Sequence, residues 1–198
     1  MPAEVKLSEL TVHRPVEIRF GFSGLGGEYA LPVMRRIVRR GWPLQRRPKQ
    51  SVYTIRLVGD VAVGYPTQFS PVVYVGEGNA YDRLYKHITD WLVPLLVSVP
   101  QLSVQVRIVE VARKNKADLY KHIEADLLRW FSDRHGSLPW FNRQWENSKE
   151  RTYSYSPDAR KELQKAISIG SGTKYIWQIE PTRNNDQFEP FQKGWVQN

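Results

Sequence analysis

The run "SVQVRIVEV" (103–111) constrains this chain more than any other feature. Apolar residues fall at every second position, so as a strand it sends Val104, Val106 and Ile108 to one face. Two earlier runs rich in β-branched and aromatic residues, "SVYTIRLV" (51–58) and "VVYVG" (72–76), read as its companions. Between the second and third runs, Leu84, His87, Ile88, Trp91 and Leu92 recur at helical spacing behind Asn79, a good N-cap. After the third, "NKADLYKHIEADLLRWFSDR" (115–134) is a helix with Leu119, Ile123, Leu127 and Leu128 inward. The order is strand, strand, helix, strand, helix. A modest connector (58–71) joins the first two strands, which makes them antiparallel, and the later segment is long enough to cross over the sheet. The expectation is an α+β fold: a small central, mostly antiparallel sheet of about three strands, flanked by helices.

Additions lie at both ends. Residues 1–50 read as a basic N-terminal extension, with a strand in "PVEIRF" (15–20), a glycine-rich loop and a short helix over 31–40. Residues 51–147 form the core. Residues 148–198 form a C-terminal extension, with a helix over 156–168 capped by Ser156 and started by Pro157, a strand over 173–180 and a polar tail.

Charge is distributed unevenly. The chain of 198 residues carries a net +9, and residues 1–50 hold ten Lys/Arg against four Asp/Glu, so +6 of the excess lies there. Its centre is "RRIVRRGWPLQRRPK" (35–49), where Arg35, Arg36, Arg39, Arg40, Trp42, Arg46, Arg47 and Lys49 are candidates for contacts to nucleic acid. Clustered cations bind phosphate backbones by releasing counterions, and an interleaved Trp adds a stacking surface. A solvated basic face, or a surface for an acidic protein partner, meets the same pattern. No apolar run is long enough to span a bilayer, and "MPAEVKLSEL" lacks the apolar stretch of a secretory signal. Cysteine is absent, which excludes disulfides and thiolate metal sites and fits a reducing, cytoplasmic setting.

The candidate chemistry gathers after the second strand. Gly76-Glu77-Gly78 is a poor phosphate cradle, because no lysine follows and its central acid repels phosphate. Arg83 and His87 are four apart on one helical face, and Glu124 lies among the apolar residues of the next helix. This spacing suits a phosphate-directed guanidinium and imidazole with a carboxylate for one hard cation. It equally suits a structural Arg83–Glu124 ion pair, with Tyr53 and Tyr74 as ordinary sheet aromatics.

Over about residues 50–145 the chain resembles the GIY-YIG nucleases. Ser51-Val52-Tyr53 and Tyr74-Val75-Gly76 look like the two name motifs. Arg83 matches the helix-borne arginine, His87 the histidine of some restriction-enzyme members, Glu124 the metal-binding glutamate and Asn142 the late asparagine. The resemblance implies an endonuclease that hydrolyses DNA phosphodiesters with Mg²⁺ or Mn²⁺ held by Glu124, in a restriction, defence or mobile-element setting. It implies Tyr53 as the general base or the residue that orients the attacking water, Arg83 as the charge neutraliser, Tyr74 and His87 bonding the phosphate or relaying a proton, and Asn142 anchoring the loop or contacting phosphate. Double-stranded DNA would be the partner, and a cut through both strands would take a dimer or sequential nicking. A non-catalytic nucleic-acid-binding module on the same fold is the alternative.

Overall fold

The computed structural model describes residues 3–19, 47–58, 61–98, 102–111, 118–143, 153–170 and 175–177. The expected helix over 31–40 lies outside them, as do Arg35, Arg36, Arg39, Arg40, Trp42 and Arg46. In chain order the elements are β1 (Ala3–Val5), a 3-10 turn (Leu7–Glu9), β2 (Leu10–Val12), β3 (Val16–Arg19), β4 (Ser51–Val58), β5 (Val61–Gly64), β6 (Phe69–Ser70) and β7 (Val72–Gly78). There follow α1 (Ala80–His87), a π-helical turn (Ile88–Leu92), α2 (Val93–Ser98), β8 (Ser103–Val111), α3 (Leu119–His135), β9 (Tyr153–Tyr155), α4 (Pro157–Ala166) and β10 (Tyr175–Trp177).

β4 is the central strand, antiparallel to β7 on one side and to β8 on the other. β2 and β3 both run antiparallel along the far side of β8, completing a five-stranded sheet. The mixed, mostly antiparallel class is as the sequence implies, but the sheet is wider than three strands. Val16 and Ile18 bury their side chains in it, so β3, within the N-terminal extension, is part of this sheet. The connector 58–71 also differs from expectation. It folds into the antiparallel pair β5–β6, and β10 joins β5 in parallel.

Both faces of the sheet are covered, which is why β4 is buried along nearly its whole length. Its odd positions, Tyr53, Ile55 and Leu57, pack with Leu84, Ile88, Leu92, Val104, Val106 and Ile108 on the α1–α2 side. Val52 joins Ile123, Leu127, Phe131 and Leu163 on the α3–α4 side. Thr54 and Arg56 share that second face, and polar groups there need partners. The last turn of α4 supplies them: Thr54 Oγ1 donates to the Ala166 carbonyl at 3.1 Å, and Arg56 Nη2 donates to those of Ser168 and Ile169, each at 3.1 Å.

Three local devices position the site. Ile55 pairs with Tyr74 but Arg56 pairs with Val72, so Val73 is an extra residue in β7, and this bulge re-aims the strand beside Tyr74. The Asn79 side chain accepts from the Asp82 backbone N–H and fixes where α1 begins. Pro94 has no N–H for the carbonyl one turn back, and the helix widens into the π turn just before it. Ser156 caps α4 with Pro157 at its first turn, as the sequence implies.

Candidate functional site

Tyr53, Tyr74, Arg83 and His87 meet where β4 and β7 pass under α1. The Tyr53 side chain is 1% exposed, and its hydroxyl lies 2.8 Å from His87 Nε2. Trp91 Nε1 donates to His87 Nδ1 at 3.0 Å. An indole N–H only donates, so Nδ1 accepts, the imidazole proton sits on Nε2, and Nε2–H donates to Tyr53 Oη. The Tyr53 hydroxyl keeps its own proton, and the neighbouring Tyr74 disfavours its ionised form. The Tyr74 ring is 6.0 Å from that of Tyr53 and 4.3 Å from the imidazole. Arg83 reaches towards both hydroxyls from the exposed side of α1, near enough for its charge to favour their ionised forms.

The charge states follow from burial. Desolvation pushes Tyr53 well above the ordinary phenol value, against the pull of Arg83, and raises Tyr74 as well. Desolvation, helped by the Arg83 charge, lowers His87 to about 4. At neutral pH the cluster is therefore one permanent cation supported by neutral hydroxyls and a neutral imidazole. Neither tyrosine is a base there. The half-buried Tyr74 hydroxyl and the exposed guanidinium are donors suited to an anion's oxygen atoms, with Tyr53 buried beneath them.

Gly76 makes the arrangement possible. A Cβ at that position would stand 2.6 Å from Tyr74 Cε1 and 2.7 Å from Tyr53 Oη. The pattern Tyr-Val-Gly thus has a packing cause: two phenols crossing an antiparallel pair leave room only for a glycine.

Glu124 and Asn142 stand differently. Glu124 is 4% exposed on α3, near enough for its charge to raise Tyr74. It brings a single carboxylate, and among the described residues no group of three or more His, Asp or Glu gathers to hold a metal ion. A hard cation there would take most of its oxygen ligands from elsewhere. Asn142 Oδ1 accepts from the Val75 N–H at 2.9 Å, and its Nδ2 donates to the Val75 carbonyl at 2.8 Å. Its amide thus copies a strand neighbour on the edge of β7 and pins the 139–142 loop. Arg47 and Lys49, the described part of the basic stretch, are exposed. Trp91 is the participant that sequence reading assigned to the core alone, although its place four residues after His87 is a readable signal.

No protein-family profile and no solved structure matches this chain. It is similar to a 23S rRNA (uracil(1939)-C(5))-methyltransferase, RlmD, of Chromobacterium violaceum, at 30% identity over 123 residues. The match takes in 57% of this chain and 24% of that protein, so the chain spans about a quarter of the relative's length. The likeness is to an enzyme, a methyltransferase, and it overturns three expectations together: the resemblance to GIY-YIG nucleases, the metal-dependent hydrolysis of DNA, and the restriction or defence setting. The physical reason lies in the motifs. Of the first only Tyr53 is present, and the second is the packing pattern that any pair of strand tyrosines around Gly76 would produce. Among the described residues no helix is long and apolar enough to cross a membrane.

Proposed function

We propose that this chain is the RNA-recognising part of an RNA-modifying, methyl-transferring enzyme, and that the Tyr53–Tyr74–Arg83–His87 cluster holds a backbone phosphate of that RNA. The carrying observation is the exposed Arg83 guanidinium set over the packed Tyr53–Tyr74–His87 group, whose hydroxyls burial keeps protonated at neutral pH. A cation presented beside a neutral polar group on a packed support has no competing charge to give up when an anion arrives. The net +9 of the chain supports a polyanionic partner. The relative's name supports RNA rather than DNA, and methyl transfer to a uracil, as the setting.

Within that setting the cluster's contribution is to bind and orient RNA, with Tyr53 and His87 supporting Tyr74 beneath the Arg83 guanidinium.

Binding of a labelled single-stranded RNA and of a DNA of the same sequence tests the reading. RNA is expected to bind more tightly, and Arg83→Ala to weaken it about tenfold or more, the loss of a charge-assisted hydrogen bond. Incorporation of a labelled methyl group into uracil of the bound RNA would support the enzymatic setting. Equal affinity of Arg83→Ala and the parent protein, or no RNA binding at all, would overturn the proposal.

A further inference from the structure

Aromatic rings run in an unbroken line from the buried cluster to the surface. The Tyr74 ring centroid is 6.0 Å from that of Trp91. Trp91 stacks on Phe141 at 4.0 Å with planes 13° from parallel, and Phe141 stacks on Trp140 at 5.0 Å and 29°. Tyr53 is buried, Tyr74, Trp91 and Phe141 are half-buried, and Trp140 is 48% exposed. Trp140 thus leaves about half of its side chain open, and water disfavours an uncovered indole face.

The loop that carries it is held firmly. The Trp140 N–H donates to Tyr65 Oη at 3.1 Å, the Phe141 N–H donates to the Val73 carbonyl at 3.0 Å, and the Asn142 side chain is doubly bonded to Val75. The ring is therefore displayed from a fixed support. The stretch "SLPWFNR" (137–143) contains no acid and ends in the exposed Arg143.

We infer that the open face of Trp140 is a stacking site for an unpaired nucleobase of the same RNA strand whose phosphate Arg83 holds; the inference rests on the function proposed above. A base is the occupant the surroundings favour. It adds one more near-parallel plane to a stack already built, and its attached phosphates meet cations at both ends of the line. A single-stranded chain offers such bases unpaired, and an aromatic face takes any of them. The stack makes Trp140 sequence-tolerant, so it serves to seat the strand rather than to choose the base.

Fluorescence anisotropy with two end-labelled strands of equal length, oligouridine and its abasic counterpart, separates the parts. Trp140→Ala is expected to lose about five- to fifty-fold in affinity for oligouridine, to leave the abasic strand unaffected and to keep the salt dependence unchanged. Trp140→Phe is expected to retain most of the affinity, and thermal melts of both variants to match the parent. Parent-level oligouridine binding by Trp140→Ala, with the parent binding both strands, would overturn the stacking site and leave the RNA-binding reading standing. So would equal losses on the two strands. If the parent binds neither strand, both inferences fall.

Discussion

Two arginines on opposite faces of one sheet have opposite roles. Arg83 is exposed on α1, where desolvation works to lower it and the neighbouring Tyr53 and Tyr74 raise it above the ordinary arginine value. Arg56 is 6% exposed under α4, and it is lowered to about 10 by burial first and by the neighbouring Arg107 second. Arg56 gives Nη2 to the Ser168 and Ile169 carbonyls while its Nη1 is buried without a partner among the described residues, and Arg107 gives Nη1 to the Lys165 carbonyl at 3.0 Å. Both therefore cap the negative end of α4. A guanidinium committed to backbone carbonyls is part of the fold. One set beside neutral hydroxyls and open to water still has a charge to offer a ligand.

The largest effect should come from breaking the structural member of the pair. Arg56→Ala leaves two carbonyls beneath the sheet without their donor and should lower the unfolding free energy by about 3 kcal/mol. Arg83→Ala removes an exposed side chain and leaves the Tyr53–His87 bond in place, so it should change it by less than about 1 kcal/mol. Urea denaturation of the two variants checks the contrast, and equal losses would mean that Arg83 too is a packing residue.

Acid should probe both regions through a histidine in each. His87 lies in the tyrosine cluster and His135 at the end of α3, fully buried, and burial lowers each to about 4. The unfolded chain takes up these protons near pH 6.5, whereas the folded chain resists until about 4. Their contribution is thus fully present above about pH 6.5 and is lost as the pH falls towards 4, by up to about 1.4 kcal/mol per pH unit for each site. His87→Gln and His135→Gln should each flatten the decline measured by denaturation between pH 7 and pH 4.5. An unchanged slope in His87→Gln would contradict the neutral imidazole bonded by Trp91.

What the sequence disclosed about these regions differs by interaction range. The strands β4, β7 and β8 and the caps at Asn79 and Ser156 were readable, because alternation and capping are local. The gathering of Tyr53, Tyr74, Arg83 and His87 was readable too, since the first two sit on neighbouring strands and the others are one turn apart. β2 and β3 were harder to place, because their partner β8 is about ninety residues away in the chain and a short run carries no address. Arg56 gave no signal at all: its burial depends on the end of a helix more than a hundred residues later. The family resemblance failed for a related reason. Tyr-Val-Gly reports a packing requirement, and packing does not specify chemistry.

Glycines sharpen the same contrast between crowded and open ground. A Cβ on Gly76 has no space between the two phenols, so Gly76→Ala should destabilise the fold by about 2 kcal/mol and weaken RNA binding as the tyrosines shift. Gly78, two residues on, has φ +96° but nothing within 4 Å of a built Cβ. Gly78→Ala meets only backbone strain, about 1 kcal/mol, and should leave RNA affinity intact. Paired melting and binding measurements distinguish the two. Loss of binding in Gly78→Ala alone would place the RNA at the β7 turn rather than over the tyrosines.

The smallest effect belongs to the surface cations beside α1. Arg47 pairs with Asp82 at 3.5 Å and lies 4.1 Å above the Tyr81 ring, with both charged side chains more than half exposed. Such a pair contributes under about 1 kcal/mol, because water screens it and two mobile side chains must be ordered to form it. Joint replacement of Arg47 and Lys49 by Ala should therefore hardly move the melting temperature. If these residues extend the phosphate track that begins at Arg83, the same variant should weaken binding evenly across RNA sequences. It should also reduce the slope of log affinity against log salt by about one to two. A slope equal to the parent's would confine the RNA to Arg83 and the aromatic line. A fall in stability matching that of Arg56→Ala would remove the distinction between an arginine that builds the fold and one that the fold presents.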